Sequence, residues 1–178
     1  VPWAVVSDSA LLETLPDREF SSGLSEAVKV SLLKDADEFH WLAEHASQIS
    51  QRDPELSRRA IHRSCVLHMR HITEGGDPFE MLEARPLDFG HWSAHKLETL
   101  SRYQIRHGEA VAIGVAIDCL YSSLKFGLPR QDAEKAVQCL HDLGIQLWHR
   151  CLEPVDRLMQ GLEEFRQHLG GRLTITML

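Results

Sequence analysis

The chain has 178 residues, 43% hydrophobic and 25% charged, which suits one domain with a real core and lies outside the range of a disordered chain. Its formal net charge of −7, with Lys and Arg scattered among acids, leaves no basic stripe for a nucleic-acid backbone. No apolar run reaches the ~18 residues that span a bilayer, and Cys65, Cys119, Cys139 and Cys151 lack CxxC pairing, so they read as buried, reduced thiols of a cytoplasmic protein.

The opening Val1-Pro2-Trp3 is not a natural initiation, and an upstream part is expected. Val1 to Ser7 is short, apolar and partly β-branched, which predicts a strand. A helix is predicted to open near Ser21 or Ser22, either of which can cap it, and to run through Leu24, Val28 and Leu32 to Trp41 and Leu42. Pro54 precedes a second helix from about Glu55 to His71, and Gly75-Gly76-Asp77-Pro78 is a strong turn. A third helix starts at Gly90-His91. From His107 to Phe126 the chain is apolar almost all round, as a helix packed on every side would be. Gly127 and Pro129 end it, and two more amphipathic helices follow, from Asp132 to Leu143 and from Val155 to Leu169. After Gly170-Gly171, Arg172 to Leu178 alternates with the period-two pattern of a half-buried strand, which would pair with the first.

Among residues able to carry chemistry, His91 and His95 lie four apart, so on a helix both imidazoles leave one face and could converge on a metal or on a substrate. The spacing alone is a weak signal, since 11 histidines produce such pairs by chance; His68 and His71 illustrate that background. The surroundings add to it. Gly90 removes a side chain just before His91, and Arg85 and Asp88 bring opposite charges into the same loop. His107 places a third imidazole at the entrance to the apolar helix, where an exposed loop residue is the competing reading. Glu26, between Leu24 and Val28, has Lys29 three residues on, and taken alone this is a solvated ion pair of little weight.

Four blocks occur in register: Leu15-Pro16-Asp17-Arg18-Glu19-Phe20, Gly23-Leu24-Ser25-Glu26-Ala27-Val28-Lys29, Phe89-Gly90-His91-Trp92-Ser93-Ala94-His95-Lys96-Leu97-Glu98 and His107-Gly108-Glu109-Ala110-Val111-Ala112-Ile113-Gly114. In that order they resemble dehydroquinate synthases and their sugar-phosphate cyclase relatives, over most of the chain up to about Gly114. The resemblance implies a mainly α fold, the multi-helix C-terminal domain of that family with short terminal β-strands, and residues 1–178 as a single helical metal-binding domain. It implies that Glu26, His91 and His107 hold a catalytic zinc, or cobalt, with one coordination position open. His95, which spacing alone would set beside His91 on the metal, becomes a substrate-side or phosphate-side group, and Lys29, Arg85 and Asp88 face the substrate.

The same resemblance implies a second, N-terminal α/β domain that holds NAD. No Gly-rich strand-to-helix turn occurs in this chain, so no NAD contact is placed on it, and the fragment alone is not expected to turn over. In such enzymes a substrate hydroxyl is transiently oxidised by NAD, phosphate is eliminated, the ketone is reduced again and the opened chain closes by an intramolecular aldol step. The expected partner is a small phosphorylated sugar, with a homodimer left open. Asp88 stands where dehydroquinate synthases have an asparagine, and the loop from Arg85 to His91 looks more like the valiolone-type cyclases. Those relatives lose the second histidine, whereas His95 is present. The lysine pair usual near the end is absent, Arg166 being the nearest cation. A carboxylate at position 88 would repel a carboxylated substrate, so the sugar phosphate is not assigned. Two other readings stand beside this one: a non-catalytic or divergent relative serving as a binding or structural subunit, and an unrelated metal-dependent hydrolase or lyase.

Overall fold

The computed structural model describes residues 3–75 and 85–178. Seven α-helices appear among them: α1 (Asp17–Lys34), α2 (Ala36–Ser50), α3 (Pro54–Glu74), α4 (His91–Leu100), α5 (His107–Lys125), α6 (Arg130–Asp142) and α7 (Val155–His168). Short 3-10 turns lie at Ser9–Thr14, Pro86–Asp88 and Arg150–Leu152. No described helix is long and apolar enough to cross a membrane.

The mainly helical expectation holds, with α5 at the centre. Ala110 to Ala116 are buried without a break, and α1, α4 and α6 pack around them. All-round burial then stops: Leu120, Leu124 and Phe126 near the end of α5 are exposed. Helix α3 lies against α1 and α2, α2 also reaches α6, and α7 covers α4. Cys119 and Cys139 are buried, and burial, aided by Asp118 and Asp142 respectively, pushes both thiols up to about 12. Cys65 departs from the expectation of a buried thiol and is exposed on α3, while Cys151 is half-buried.

Two boundaries differ from the pattern-based reading. The first helix begins at Asp17, directly after Pro16, with Asp17 and Glu19 in its first turn where carboxylates complement the helix dipole. Ser22 is not its cap but a buried contact, packed so closely on α5 that a Cβ on Gly108 would stand 2.1 Å from the Ser22 carbonyl oxygen. Nor does that helix run on to Leu42. It breaks at Asp35, whose extended backbone (φ −156°) ends α1 and whose side chain accepts from the Glu38 N–H at 3.0 Å, so that one residue stops α1 and caps α2.

The terminal strands are absent among the described residues, Val1 and Pro2 lying outside them. Residues 4–8 have no regular structure and lead into the Ser9–Thr14 turn. Residues 172–178 are likewise irregular, because side chains rather than a neighbouring strand meet their polar groups: Leu178 N–H donates to Ser122 Oγ at 3.0 Å, and Thr176 Oγ1 donates to the Arg85 carbonyl at 2.8 Å. Of the predicted turn, Gly75 closes α3 by donating to the His71 carbonyl at 3.1 Å, and Gly76, Asp77 and Pro78 lie outside the described residues.

Helix α4 enters the fold through a contact that only glycines permit. Gly90 has φ +79°, the left-handed region costly for any residue with a Cβ. Its carbonyl oxygen stands where α5 passes closest, so that a Cβ on Gly114 would lie 1.9 Å from it. Gly114→Ala is therefore expected to destabilise the protein by about 1–3 kcal/mol or more, since backbone rather than a flexible side chain must yield. Gly23→Ala, on an exposed part of α1 with nothing within 4 Å of the added Cβ, is expected to be neutral or to stabilise by up to ~1 kcal/mol. Denaturant midpoints of the two variants check both, and equal midpoints would show that the crossing is not tight.

Candidate metal centre

Three helices deliver three side chains to one place. Glu26 stands on α1 between the buried Leu24 and Val28, His91 is the first residue of α4, and His107 is the first residue of α5. One ligand atom of each lies within 4.8 Å of the others. The backbone around each is fixed locally: Gly90 turns the chain into α4, and the Glu109 carboxylate accepts from the Arg106 N–H at 2.8 Å, closing the first turn of α5.

The imidazoles are prepared for the same face. His91 Nδ1 donates to the Phe89 carbonyl at 3.2 Å, which leaves Nε2 as its electron-pair donor. His107 Nδ1 lies 3.3 Å from Glu98 Oε2, the carboxylate-to-histidine arrangement that orients a ligating ring. Burial first, and then the Lys29 cation, hold the His91 ring down at about 4 against the pull of Glu26. It is thus neutral at ordinary pH, the form able to ligate. One carboxylate and two imidazole nitrogens suit zinc and leave room for a further ligand, so the donor set fits the expected metal.

His95 stands beside this set rather than within it. Its ring centroid is 5.5 Å from that of His91 and 6.1 Å from that of His107, and it faces Phe165 of α7 at 6.3 Å. Burial, helped by His107 and His168 and opposed by Glu98 and Asp88, lowers its pKa.

Lys29 is not half of a solvated surface pair. Its side chain is 3% exposed, its Nζ lies 2.7 Å from Glu26 Oε2, and it donates to the Leu87 carbonyl at 2.9 Å. It thereby joins the carboxylate on α1 to the loop before α4. In that loop Arg85 and Asp88 are paired with each other. Arg166 takes no part here, pairing with Glu163 at 2.6 Å and donating to the Gly171 carbonyl.

Beneath the loop lies Asp118, a 1% exposed carboxylate that follows the apolar run Ala110 to Ile117 of α5. It accepts from the Gly90 N–H at 2.8 Å and from Trp92 Nε1 at 2.9 Å. Burial raises its pKa to about 6 although both hydrogen bonds oppose the rise.

A family model described as 3-dehydroquinate synthase C-terminal matches residues 23–165. The chain belongs to that family. Relatives include 3-dehydroquinate synthases of Xylella fastidiosa, 33% identical over 182 residues, and Halorhodospira halophila, 33% identical over 178 residues. Each alignment covers 99% of this chain but 46% and 49% of the respective relative, so the chain spans about half their length. Among solved structures, ValA, the 2-epi-5-epi-valiolone synthase of Streptomyces hygroscopicus with NAD+ and Zn2+ bound, superposes with a TM-score of 0.85. That likeness covers 96% of this chain and 47% of the other at 24% identity, and it shows the fold. Family membership removes the reading of an unrelated helical hydrolase or lyase.

In this dehydroquinate synthase C-terminal domain a cleft of about 560 Å³ opens beside two of the three donors, Glu26 and His91. Glu26 and Lys29 form one wall and Leu87, Asp88 and His91 another. The third wall, α3 with Ser64, Cys65, His68 and Met69, was not indicated by the sequence, in which His68 counted only as background. Ser64 and His68 are four apart and share a helix face, but that pattern equally describes a solvated surface.

The Asp118 environment fixes the sign of one pH effect. Its folded pKa, about 6, exceeds the ordinary 3.8, so its contribution to stability is fully present below pH ~4 and is lost as pH rises through 6. The stability of the unsubstituted protein relative to Asp118→Asn should accordingly fall between pH 4 and pH 7. Denaturant unfolding of both across that interval checks it, and a difference independent of pH would show that Asp118 titrates normally.

Proposed function

We propose that this domain is the metal-carrying half of a sugar-phosphate cyclase that uses NAD and zinc to eliminate phosphate from a phosphorylated sugar and close the product by an intramolecular aldol step. The observation that carries this reading is the convergence of Glu26, His91 and His107 within 4.8 Å, in a chain of the dehydroquinate synthase family. The fold likeness to a valiolone synthase holding NAD+ and Zn2+ supports it. NAD belongs, on this reading, to the half of the relatives that this chain does not span, and an isolated domain has no turnover.

Bound by Glu26, His91 and His107, zinc or cobalt would supply an electrophile that stabilises negative charge developing on substrate oxygens. Other roles fall to the chain's own groups. Lys29 holds the Glu26 carboxylate in place, and presents a buried cation to the cleft. Asp88, paired with Arg85, offers the cleft a carboxylate that accepts from sugar hydroxyls and repels an acid group. A polyol phosphate without a carboxylate is therefore the better fitting substrate class. His95, outside the donor set at the α7 edge, is assigned to the substrate's phosphate.

The test is made on the full-length protein. About one zinc per chain is expected by elemental analysis, lost in a His91→Ala/His107→Ala double variant, and Glu26→Gln should weaken zinc binding by more than about 100-fold. Zinc retained at full stoichiometry in the double variant would overturn the assignment. With metal present, NAD-dependent phosphate release is expected from one member of a panel of six- and seven-carbon sugar phosphates. Metal and NAD binding without release from any of them would favour a non-catalytic relative instead.

A further inference from the structure

Asp118 is costly where it stands. No cation is paired with it among the described residues, and a buried carboxylate held only by neutral donors forfeits hydration that two hydrogen bonds do not fully return. A neutral side chain would serve packing alone as well. What distinguishes Asp118 is where its two hydrogen bonds end. One oxygen receives the backbone N–H of Gly90 and the other the indole N–H of Trp92, the residues immediately before and after His91.

Helical geometry sharpens the point. His107, Gly114 and Asp118 are spaced by seven and four residues, so at about 100° per residue they return to nearly one face of α5. That face carries the third donor of the metal centre at its first residue and the closest contact with Gly90 midway. About 16 Å further along the axis than His107 it carries the carboxylate that grips the entry to α4. One rigid helix therefore presents His107 directly and holds both neighbours of His91, Gly90 by its backbone N–H and Trp92 by its indole.

We propose that Asp118, through Gly90 and Trp92, is a positioning residue that aims His91 at the metal. The proposal rests on the metal-centre reading above. Asp118 touches neither metal nor substrate, and it acts by holding residues 90–92 in the one arrangement that brings the His91 donor toward those of Glu26 and His107. Removing the carboxylate leaves the three donors in the chain but frees the aim of one of them.

The experiment uses full-length protein freed of metal and titrated with cobalt, whose visible absorption reports ligand geometry, and then with zinc. Asp118→Leu is expected to weaken metal binding by about 10- to 100-fold, the range found when a group orienting a ligand is lost, and to change the cobalt spectrum. Asp118→Asn, which keeps one acceptor oxygen, should restore part of that loss. Trp92→Phe removes only the indole donor and serves if the leucine variant does not fold, with a smaller loss in the same direction. Leu140→Ala, a buried cavity variant in α6, should lower thermal stability while leaving cobalt spectrum and metal affinity unchanged. Unaltered affinity and spectrum in the Asp118 variants, or in Trp92→Phe where those do not fold, would overturn the proposal while the metal centre stands. Failure of the unsubstituted protein to bind either metal would overturn the metal centre and the proposal with it.

Discussion

The crossing of α4 and α5 constrains everything else in the site. Helices with ordinary side chains between them pack 8–10 Å apart, whereas Gly90 and Gly114 bring backbone against backbone and leave no room for a Cβ on either. With the crossing fixed in that way, the rings of His91 on α4 and His107 on α5 come within 5.5 Å of each other, centroid to centroid.

The loop before α4 is held from two sides. Lys29 donates to the Leu87 carbonyl from α1, and Thr176 donates to the Arg85 carbonyl from the C-terminal segment. Between these attachments Arg85 and Asp88 neutralise each other. Such fastening matters because the loop contributes a cleft wall and ends at a donor residue, so a slip that displaced Asp88 would also move His91. The buried Lys29 couples the two functions, since the same ammonium group contacts the Glu26 carboxylate and the loop backbone.

What could be read from the sequence follows from how locally each feature is determined. Helices α3, α5, α6 and α7 were legible because their apolar spacing, prolines and glycines act within one or two turns. The break at Asp35 was not, since Asp inside a helical pattern becomes a cap only when its backbone is extended, and apolar spacing on both sides continues through it. The terminal segments alternate as strands do, yet no adjacent strand pairs with them among the described residues, and the last one is tied instead by Leu178 N–H to Ser122 Oγ and by the Thr176 hydroxyl to the Arg85 carbonyl, partners distant in sequence. Glu26 with Lys29 looked like surface chemistry because an (i, i+3) pair carries no sign of its burial. The three expected donors were identified only through family resemblance, and their convergence depends on contacts between α1, α4 and α5 that no single segment encodes. Asp118 and the α3 wall had no local signature at all.

The charges of the cleft are compensated in pairs, and this bears on the substrate. Glu26 is met by Lys29, and Asp88 by Arg85, so the charged groups at the cleft are engaged with one another. A phosphate entering such a cleft would gain little from the pairs themselves, since each cation is already engaged. On the proposed function the attraction would come from His95 and from the dication that the three donors would hold. On that same proposal a phosphorylated sugar would place its charged end and reactive oxygens toward the metal donors and His95, and its hydroxyls toward Asp88 and the Ser64 and His68 face of α3.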